Sequence, residues 1–562
     1  MSAELTPART AILANRFETI ARQMSYTLLR TARSGVLNTA RDFSCAILSR
    51  RNELLFFAES LPVHVCGLSL EAAEMAAVHG HDLRRGDAYL NNSPYHGGTH
   101  HADHTILVPV FAGGEWMFTV CAKAHQADCG NARATTYSPR AQDLYEEGAL
   151  SFPCVRVQRD HTDEADVIRM CRSRIRVPDQ WYGDYLSAVG AARVGERKLE
   201  DLTARYGQAL VERFVAGWLD YSEARMVEEI AGLPAGTFEG ESTHDPFPGI
   251  PDGLTIRARV SIDPSEPRIA VDLTDNPDCV PCGLNLSEAT ASAAAAIGVF
   301  GSLDPGVPLN QGSLRRLGFR LRENCVVGRP RHPASCSVAT TNVADRVVNA
   351  VARAMAVARP EYSQAEGGLG IPASRAVIWG TDPRHRDRPF VNQIFLGPSG
   401  GPATSTSDGW LTTTTPISGG LSYRDSVEID EQKYPLLVRR LELAPDSGGA
   451  GTHRGAPGTV VEYGPIPGAT FRVTYASEGR EHPARGAFGG GDGGRSDVER
   501  IGVDGREERL PQVGEVELAS GEALRATSCG GGGWGDPAQR EPALLEHDIA
   551  EGIVTGPHHR LD

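Results

Sequence analysis

Residues 96–104 read HGGTHHADH, and KAHQAD follows at 123–128. His96, His100, His101, His104 and His125, together with Asp103 and Asp128, fall within 33 residues of a chain that holds 17 histidines in all. Imidazole and carboxylate side by side suit a borderline divalent ion, and a His/Asp site accepts Mn, Zn or Fe alike. The competing reading is a polar loop whose imidazoles cap strand ends by hydrogen bonding. His101 and His104 are the weaker ligand candidates, because alternation along a strand sends neighbouring side chains to opposite faces. Asp42, just before FSCAIL, reads as a base, a fourth ligand or a strand-start cap.

The elements that must position these groups are two apolar runs, TILVPVF (105–111) and WMFTVCAKA (116–124), joined by Ala112-Gly113-Gly114-Glu115. That connection reads as a tight hairpin. Paired residue numbers in such a ladder have a constant sum. A two-residue Gly113-Gly114 loop sets Asp103 opposite Ala124, whereas a three-residue loop sets it opposite His125. Either register makes Asp103 and His125 neighbours, and directly opposed residues have Cβ atoms about 5 Å apart, a gap one ion can bridge. His100 lies in the turn softened by Gly97 and Gly98, from which it can supply a third ligand. Three protein ligands with room for water is the pattern of a catalytic site.

Around the hairpin, apolar residues at 12, 13, 17, 20, 24 and 28 predict a helix from Thr6 to about Arg33, with Thr6 as cap and Gly35 as terminator. FSCAIL (43–48), LLFFA (54–58) and DAYLNN (87–92) read as strands. Helical pattern returns from about Gln180 to Leu219 with a break near Gly207, then strands at 254–262 and 268–274, and helices at 287–300 and 343–357. The expected class is α+β. We expect a metal-site lobe over 1–215, a middle α/β region over 216–364, and a Gly-rich, β-rich C-terminal lobe over 365–562.

The composition excludes several roles. A net charge of −15 repels phosphate backbones and anionic lipid, so neither nucleic acid nor membrane is an expected partner. The 62 Gly and 36 Pro make about 17% of the chain, against roughly 12% in an average protein, so turns and long ordered loops are expected. Eleven sparse Cys predict free thiols, Cys279-x-x-Cys282 included. The start MSAELTPARTAILANRF lacks the basic and apolar stretches of a signal peptide, and no run approaches the ~18 apolar residues of a membrane span, so a cytoplasmic protein is expected. The glycine clusters at 447–449, 489–491 and 530–533 have no Walker spacing and read as turn or close-packing glycines. ATSTSDGW (403–410) has no nucleophile elbow.

Nearly end to end, the chain resembles the hydantoinase B family, the smaller subunits of ATP-dependent N-methylhydantoinase, 5-oxoprolinase, caprolactamase and the acetone and acetophenone carboxylases. The resemblance rests on RTARSGVLNTARDFSCAI (30–47), PVHVCGL (62–68), NSPYHGGTHHADHTILVPVF (92–111), AKAHQADCGN (122–131) and EEGALSFPCVRVQRD (146–160). It continues through RIRVPDQWYGDY (174–185), VPLNQGSLRR (307–316), LAPDSGGAGTHRGAPG (443–458) and GGGGWGDPAQR (530–540).

It implies a mixed α/β, multi-lobed hydantoinase B-like fold and a division of labour. A larger, actin-like hydantoinase A partner binds ATP and phosphorylates the substrate, and the smaller subunit holds a divalent metal where the phosphorylated intermediate is hydrolysed or carboxylated. By that resemblance His100, Asp103 and His125 are the metal ligands, with His125 and Asp42 in the catalytic set. Asp42 orients or deprotonates water, and His96 and Asp128 fix a ligand's tautomer. The family's HLPD is here His100-His101-Ala102-Asp103, which keeps the ligand spacing but adds two imidazoles. The implied activity is hydrolysis of a cyclic amide (a hydantoin, oxoproline or lactam ring) in a hetero-oligomer such as α2β2. A ketone carboxylase subunit, whose relatives resemble longer versions of this one, and a non-catalytic scaffold are the alternatives.

Overall fold

The structure, a computed structural model, describes residues 5–58, 61–411, 415–420 and 423–556. Its first element is the helix Pro7–Thr31, capped by Thr6, whose Oγ1 accepts from the Arg9 N–H. Leu13, Phe17, Ile20, Met24 and Leu28 form its buried stripe, while Ile12 is exposed. The helix stops before the expected Gly35. Asp184 accepts hydrogen bonds from the Arg33 and Ser34 N–H groups at 2.6 and 3.2 Å and draws the backbone out at Ala32, so Gly35 opens a separate turn, Gly35–Asn38.

Seven strands follow: β1 (Phe43–Ser49), β2 (Leu54–Ala58), β3 (Ala88–Asn91), β4 (Asp103–Ala112), β5 (Glu115–His125), β6 (Val155–Arg159) and β7 (Thr162–Asp163). They make one antiparallel sheet in the order β2-β1-β5-β4-β3-β6-β7. The central strands are covered on both sides and so read as continuous apolar runs. One face (Ile47, Phe56, Val108, Val120) packs on the helices Pro7–Thr31 and Pro178–Tyr206; the other (Ala46, Leu48, Leu107, Cys121) packs on the helix Leu68–His79.

The β4–β5 hairpin contains both registers that the sequence allows. Gly113 and Gly114 have φ of +60° and +86° and turn the chain in two residues, so Ala112 pairs with Glu115 and Phe111 with Trp116. Met117 is then an extra residue, a β-bulge, and from Val110–Phe118 to Asp103–His125 the ladder runs in the other register. The bulge places Asp103 directly opposite His125.

The helices Pro178–Tyr206 and Gln208–Ala231 are separated at Gly207 (φ +82°), as expected. A second sheet, in the order β11-β10-β9-β8, comprises β8 (Gly236–His244), β9 (Leu254–Asp263), β10 (Arg268–Asp272) and β11 (Leu317–Arg320), and packs on the helix Val343–Ala358. The expected lobe boundary at 215/216 falls inside the helix Gln208–Ala231, and a single hydrophobic core runs through both sides of it.

The last strands are β12 (Val377–Asp382), β13 (Arg388–Gln393), β14 (Leu436–Leu443), β15 (Thr459–Pro465), β16 (Phe471–Ala476), β17 (Asp497–Ile501), β18 (Glu507–Arg509), β19 (Val513–Leu518) and β20 (Ala523–Thr527). They form two sheets, β13-β12-β16-β19 and β14-β15-β20-β17-β18, around their own core of Ile378, Phe390, Tyr463, Phe471, Val473 and Leu524. The glycine clusters beside them pack backbone on backbone. Gly449 donates to the Gly531 carbonyl, Gly533 to Gly491 and Gly530 to Gly494, at 2.9, 2.9 and 3.0 Å. A Cβ on Gly530, Gly531 or Gly533 would run into the carbonyl oxygen of Ser447, Gly401 or Ala450. All eleven cysteines are free thiols.

In this lobe the buried Asp430 lies against Asp425, which accepts from Thr39 Oγ1 and the Phe395 N–H. Burial, with Asp425 beside it, pushes the Asp430 carboxyl up to about 9. The folded chain therefore keeps a proton that the unfolded chain releases above about pH 4, so this group's contribution to stability declines as pH rises from about 4 towards 9. Asp430→Asn, which mimics the protonated acid, is expected to lose less melting temperature between pH 6 and 9 than the parent; equal losses by thermal melting would refute it.

Candidate metal centre

Asp42, Ser44, Asp103, Lys123 and His125 share the sheet face that meets the helix Leu68–His79, because strand alternation puts every second residue of β1, β4 and β5 there. Gly97, at φ +84° and with no room for a Cβ against Leu70 and Glu71, lets the chain return so that His100 reaches the same point. His100 Nε2 and His125 Nδ1 each lie 3.1 Å from Asp103 Oδ1, and all three side chains are almost fully buried.

The hydrogen bonds around these groups orient them. His100 Nδ1 donates to the Ser337 carbonyl at 3.0 Å, which leaves the Nε2 lone pair facing Asp103 Oδ1. Two acceptors facing each other across 3.1 Å require a cation between them, either a proton on His100 or a metal ion. Burial works against charge on His100, but Asp103 outweighs it and the imidazole's pKa is raised. Burial would likewise raise Asp103, yet His100 and His64 hold it well below the usual carboxylate range. Donor atoms bonded to one tetrahedral ion at about 2.0–2.2 Å stand roughly 3.4 Å apart, close to the spacing seen. The buried Nε2 atoms of His100 and His125 have no hydrogen-bond partner. Together His100, Asp103 and His125 can hold a divalent metal ion.

The sequence profile of hydantoinase B/oxoprolinase matches residues 6–537. The chain belongs to that family. Its relatives include the caprolactamase beta subunit of Pseudomonas jessenii, 30% identical with 99% of this chain and 95% of that one covered. The 5-oxoprolinase of Saccharomyces cerevisiae is 26% identical, with 95% of this chain matched to 42% of that longer one. The crystal structure of ATP-dependent caprolactamase from P. jessenii superposes with a TM-score of 0.89 at 27% identity, over 99% of this chain and 95% of that one.

Within this member of the hydantoinase B family, the histidines of the cluster divide by environment. His100 and His125 converge on Asp103, whereas His101 and His104 serve packing. His101 Nδ1 meets Glu147 Oε1 at 3.2 Å, and that carboxylate also accepts from Ser335 Oγ. His104 points to the opposite face, where its Nδ1 accepts from Trp181 Nε1; burial pushes its pKa down to about 3 and keeps it neutral. His96 is half-buried and paired with Ser93 Oγ at 2.9 Å. Asp128 accepts from the Gly130 and Arg176 N–H groups and the Arg176 guanidinium. Neither His96 nor Asp128 has a hydrogen bond to His100, Asp103 or His125. Asp42 stands at the more open side, its side chain 14% exposed, and its carbonyl accepts from the His125 N–H at 3.1 Å.

His64, in PVHVCGL, is the member of the site that local spacing does not reveal, since it lies 36 residues before His100. Ser44 Oγ accepts from the Leu61 N–H and can donate its hydroxyl proton to His64 Nδ1 at 3.1 Å. That arrangement aims His64 Nε2–H at Asp103 Oδ2, 3.3 Å away, with Asp42 Oδ1 at 3.7 Å. Thr99 Oγ1 donates to the same Oδ2 at 2.5 Å. The second carboxylate oxygen is thus held by Thr99 and His64, while Oδ1 faces His100 Nε2 and His125 Nδ1.

Proposed function

We propose that this chain is the metal-bearing subunit of an ATP-dependent cyclic-amide hydrolase, acting with a larger hydantoinase A-like subunit that binds ATP. The observation that carries the reading is the buried His100–Asp103–His125 donor set in a chain 30% identical to a caprolactamase beta subunit. A ring amide resists water because it is resonance-stabilised; phosphorylating its oxygen makes the carbon electrophilic and creates a leaving group. His100, Asp103 and His125 would hold a divalent ion, which when bound would supply Lewis-acid polarisation and lower the pKa of water. Asp42 accepts the proton of the attacking water at its carboxylate. His64 and Thr99 keep Asp103 in place. Water adds to the phosphorylated carbon, the ring C–N bond breaks as the nitrogen takes a proton, and a second water releases phosphate from the acyl group, so that ring amide, ATP and two waters give the ring-opened acid, ADP and phosphate.

The test is reconstitution of the chain with such a partner, Mn, Zn or Fe, ATP, and a panel of hydantoins, 5-oxoproline and lactams. Ring opening that needs both subunits and ATP, and is indifferent to bicarbonate, is expected. A product formed only with bicarbonate would replace the hydrolase by a carboxylase, and a chain with no metal by elemental analysis would point to a scaffold. Within the same reading, His64→Ala is expected to weaken metal affinity about 10–100-fold, since it removes a donor that orients a ligand. His96→Ala is expected to leave it unchanged. Metal titration checks both.

A further inference from the structure

Four arginines are buried in the described chain: Arg193, Arg346, Arg375 and Arg454. Three are neutralised in place. Arg346 meets Glu478 at 2.6 Å, Arg454 meets Asp548 at 2.9 Å, and Arg193 meets Glu196 at 3.0 Å. Arg375, only 5% exposed, makes no ion pair and no side-chain hydrogen bond with any described residue, and its buried Nε has no partner. Its guanidinium lies over the Phe395 ring at 4.5 Å. Asp42, Asp345 and Asp425 offset part of its burial from a distance, but a buried guanidinium with no directly bonded anion still costs several kcal/mol, which leaves its N–H groups free for an anion the chain does not itself contain.

The position says what. The Arg375 carbonyl accepts from Gln393 Nε2 at 3.4 Å. Phe395, whose ring the guanidinium covers, donates its N–H to Asp425 at 2.8 Å, and Asp425 also accepts at 2.6 Å from the Oγ1 of Thr39, three residues before Asp42, the acid at the open side of the metal centre. A buried cation therefore stands on the segment that packs, through Phe395 and Asp425, against the Thr39–Asp42 approach to the metal centre. A guanidinium presents a planar fork that matches two oxygens of a phosphoryl group, where an ammonium would offer only a point charge. The Phe395 ring covers one face of that plane and leaves its edge for hydrogen bonding.

We propose that Arg375 is the phosphoryl-binding residue of this site: it takes the phosphate oxygens of the O-phosphorylated substrate and of the inorganic phosphate that leaves, and holds them beside Asp42 and the metal ligands. The inference rests on the hydrolase reading above and specifies which residue of this chain recognises the group that the partner adds.

The experiment is calorimetric titration of inorganic phosphate into the metal-loaded chain, with acetate and bicarbonate as parallel probes and with metal content and melting temperature recorded for each variant. Arg375→Met is expected to weaken phosphate binding at least tenfold while keeping its metal. Arg375→Lys is expected to fall between, because it retains charge without the fork. Should Arg375→Met be too unstable to titrate, the arginine-to-lysine difference decides. Phosphate binding unchanged in these variants, no phosphate binding by the parent, or an Arg375-dependent preference for acetate or bicarbonate would each overturn the proposal. The titration needs neither partner nor ATP. A chain that binds phosphate through Arg375 yet opens no ring would keep this site and sink the hydrolase reading, and the reverse result would do the opposite.

Discussion

Asp103→Asn is expected to yield a folded chain that retains no stoichiometric metal and, with partner and ATP, opens no ring above background. The substitution keeps the shape and one acceptor oxygen, so Thr99 and His64 retain a partner and the fold survives. It removes the negative charge that faces two imidazole nitrogens at 3.1 Å. Two neutral imidazoles and an amide are a poor site for a hard or borderline cation. The comparison that gives the result its meaning is Asp128→Asn. Asp128 spends its carboxylate on Gly130 and Arg176, so its loss should lower the melting temperature and leave metal per folded chain unchanged. Elemental analysis and a coupled phosphate assay read both. Full activity in Asp103→Asn would end the metal-dependent reading.

The second large effect concerns Lys123, two residues before His125. Its ammonium and the Glu71 carboxylate are both fully buried, 2.6 Å apart. Lys123 also reaches Thr99 Oγ1 at 3.5 Å, and Thr99 in turn holds Asp103. Breaking such a pair by removing one partner strands a buried charge and costs about 3–5 kcal/mol, whereas replacing both by apolar groups of similar size is often neutral. Lys123→Met should therefore unfold at markedly lower denaturant, and Lys123→Met combined with Glu71→Leu should regain most of the loss. Even then the double variant lacks the donor behind Thr99, so restored stability with weakened metal affinity is the expected signature. Denaturant melts and metal titration test it. A single variant as stable as the parent would show that the pair is not what holds this corner of the sheet.

Much of this was legible beforehand because it is local. The helix Pro7–Thr31 follows from a stripe repeating every three or four residues, and β4 and β5 from apolar runs around two glycines. The pairing of Asp103 with His125 followed from counting, up to an ambiguity of one residue that only the bulge at Met117 resolves. What stayed hidden is non-local. His64 reaches Asp103 from another segment, and no period in the sequence announces it. The early end of the first helix depends on Asp184, some 150 residues away. Arg375 gives no signal in a chain with 56 basic residues, because what marks it is the lack of a partner, and that is a property of the folded molecule. Alternation already set His101 and His104 apart from His100, but their partners, Glu147 and Trp181, come from distant segments that no local pattern announces.

The glycine clusters of the C-terminal lobe reverse a familiar expectation about where a protein tolerates change. Irregular segments ordinarily absorb substitution and length variation, while regular elements resist it. Here Gly530, Gly531 and Gly533 are closed in by neighbouring carbonyls that leave no space even for a methyl group. A saturation library scored for soluble chain should thus show some of its deepest intolerance in coil at 447–455, 486–494 and 530–533, while the exposed outer face of the helix Pro7–Thr31 accepts most replacements. For anyone dividing or redesigning this chain, those stretches of coil are the seams to leave uncut.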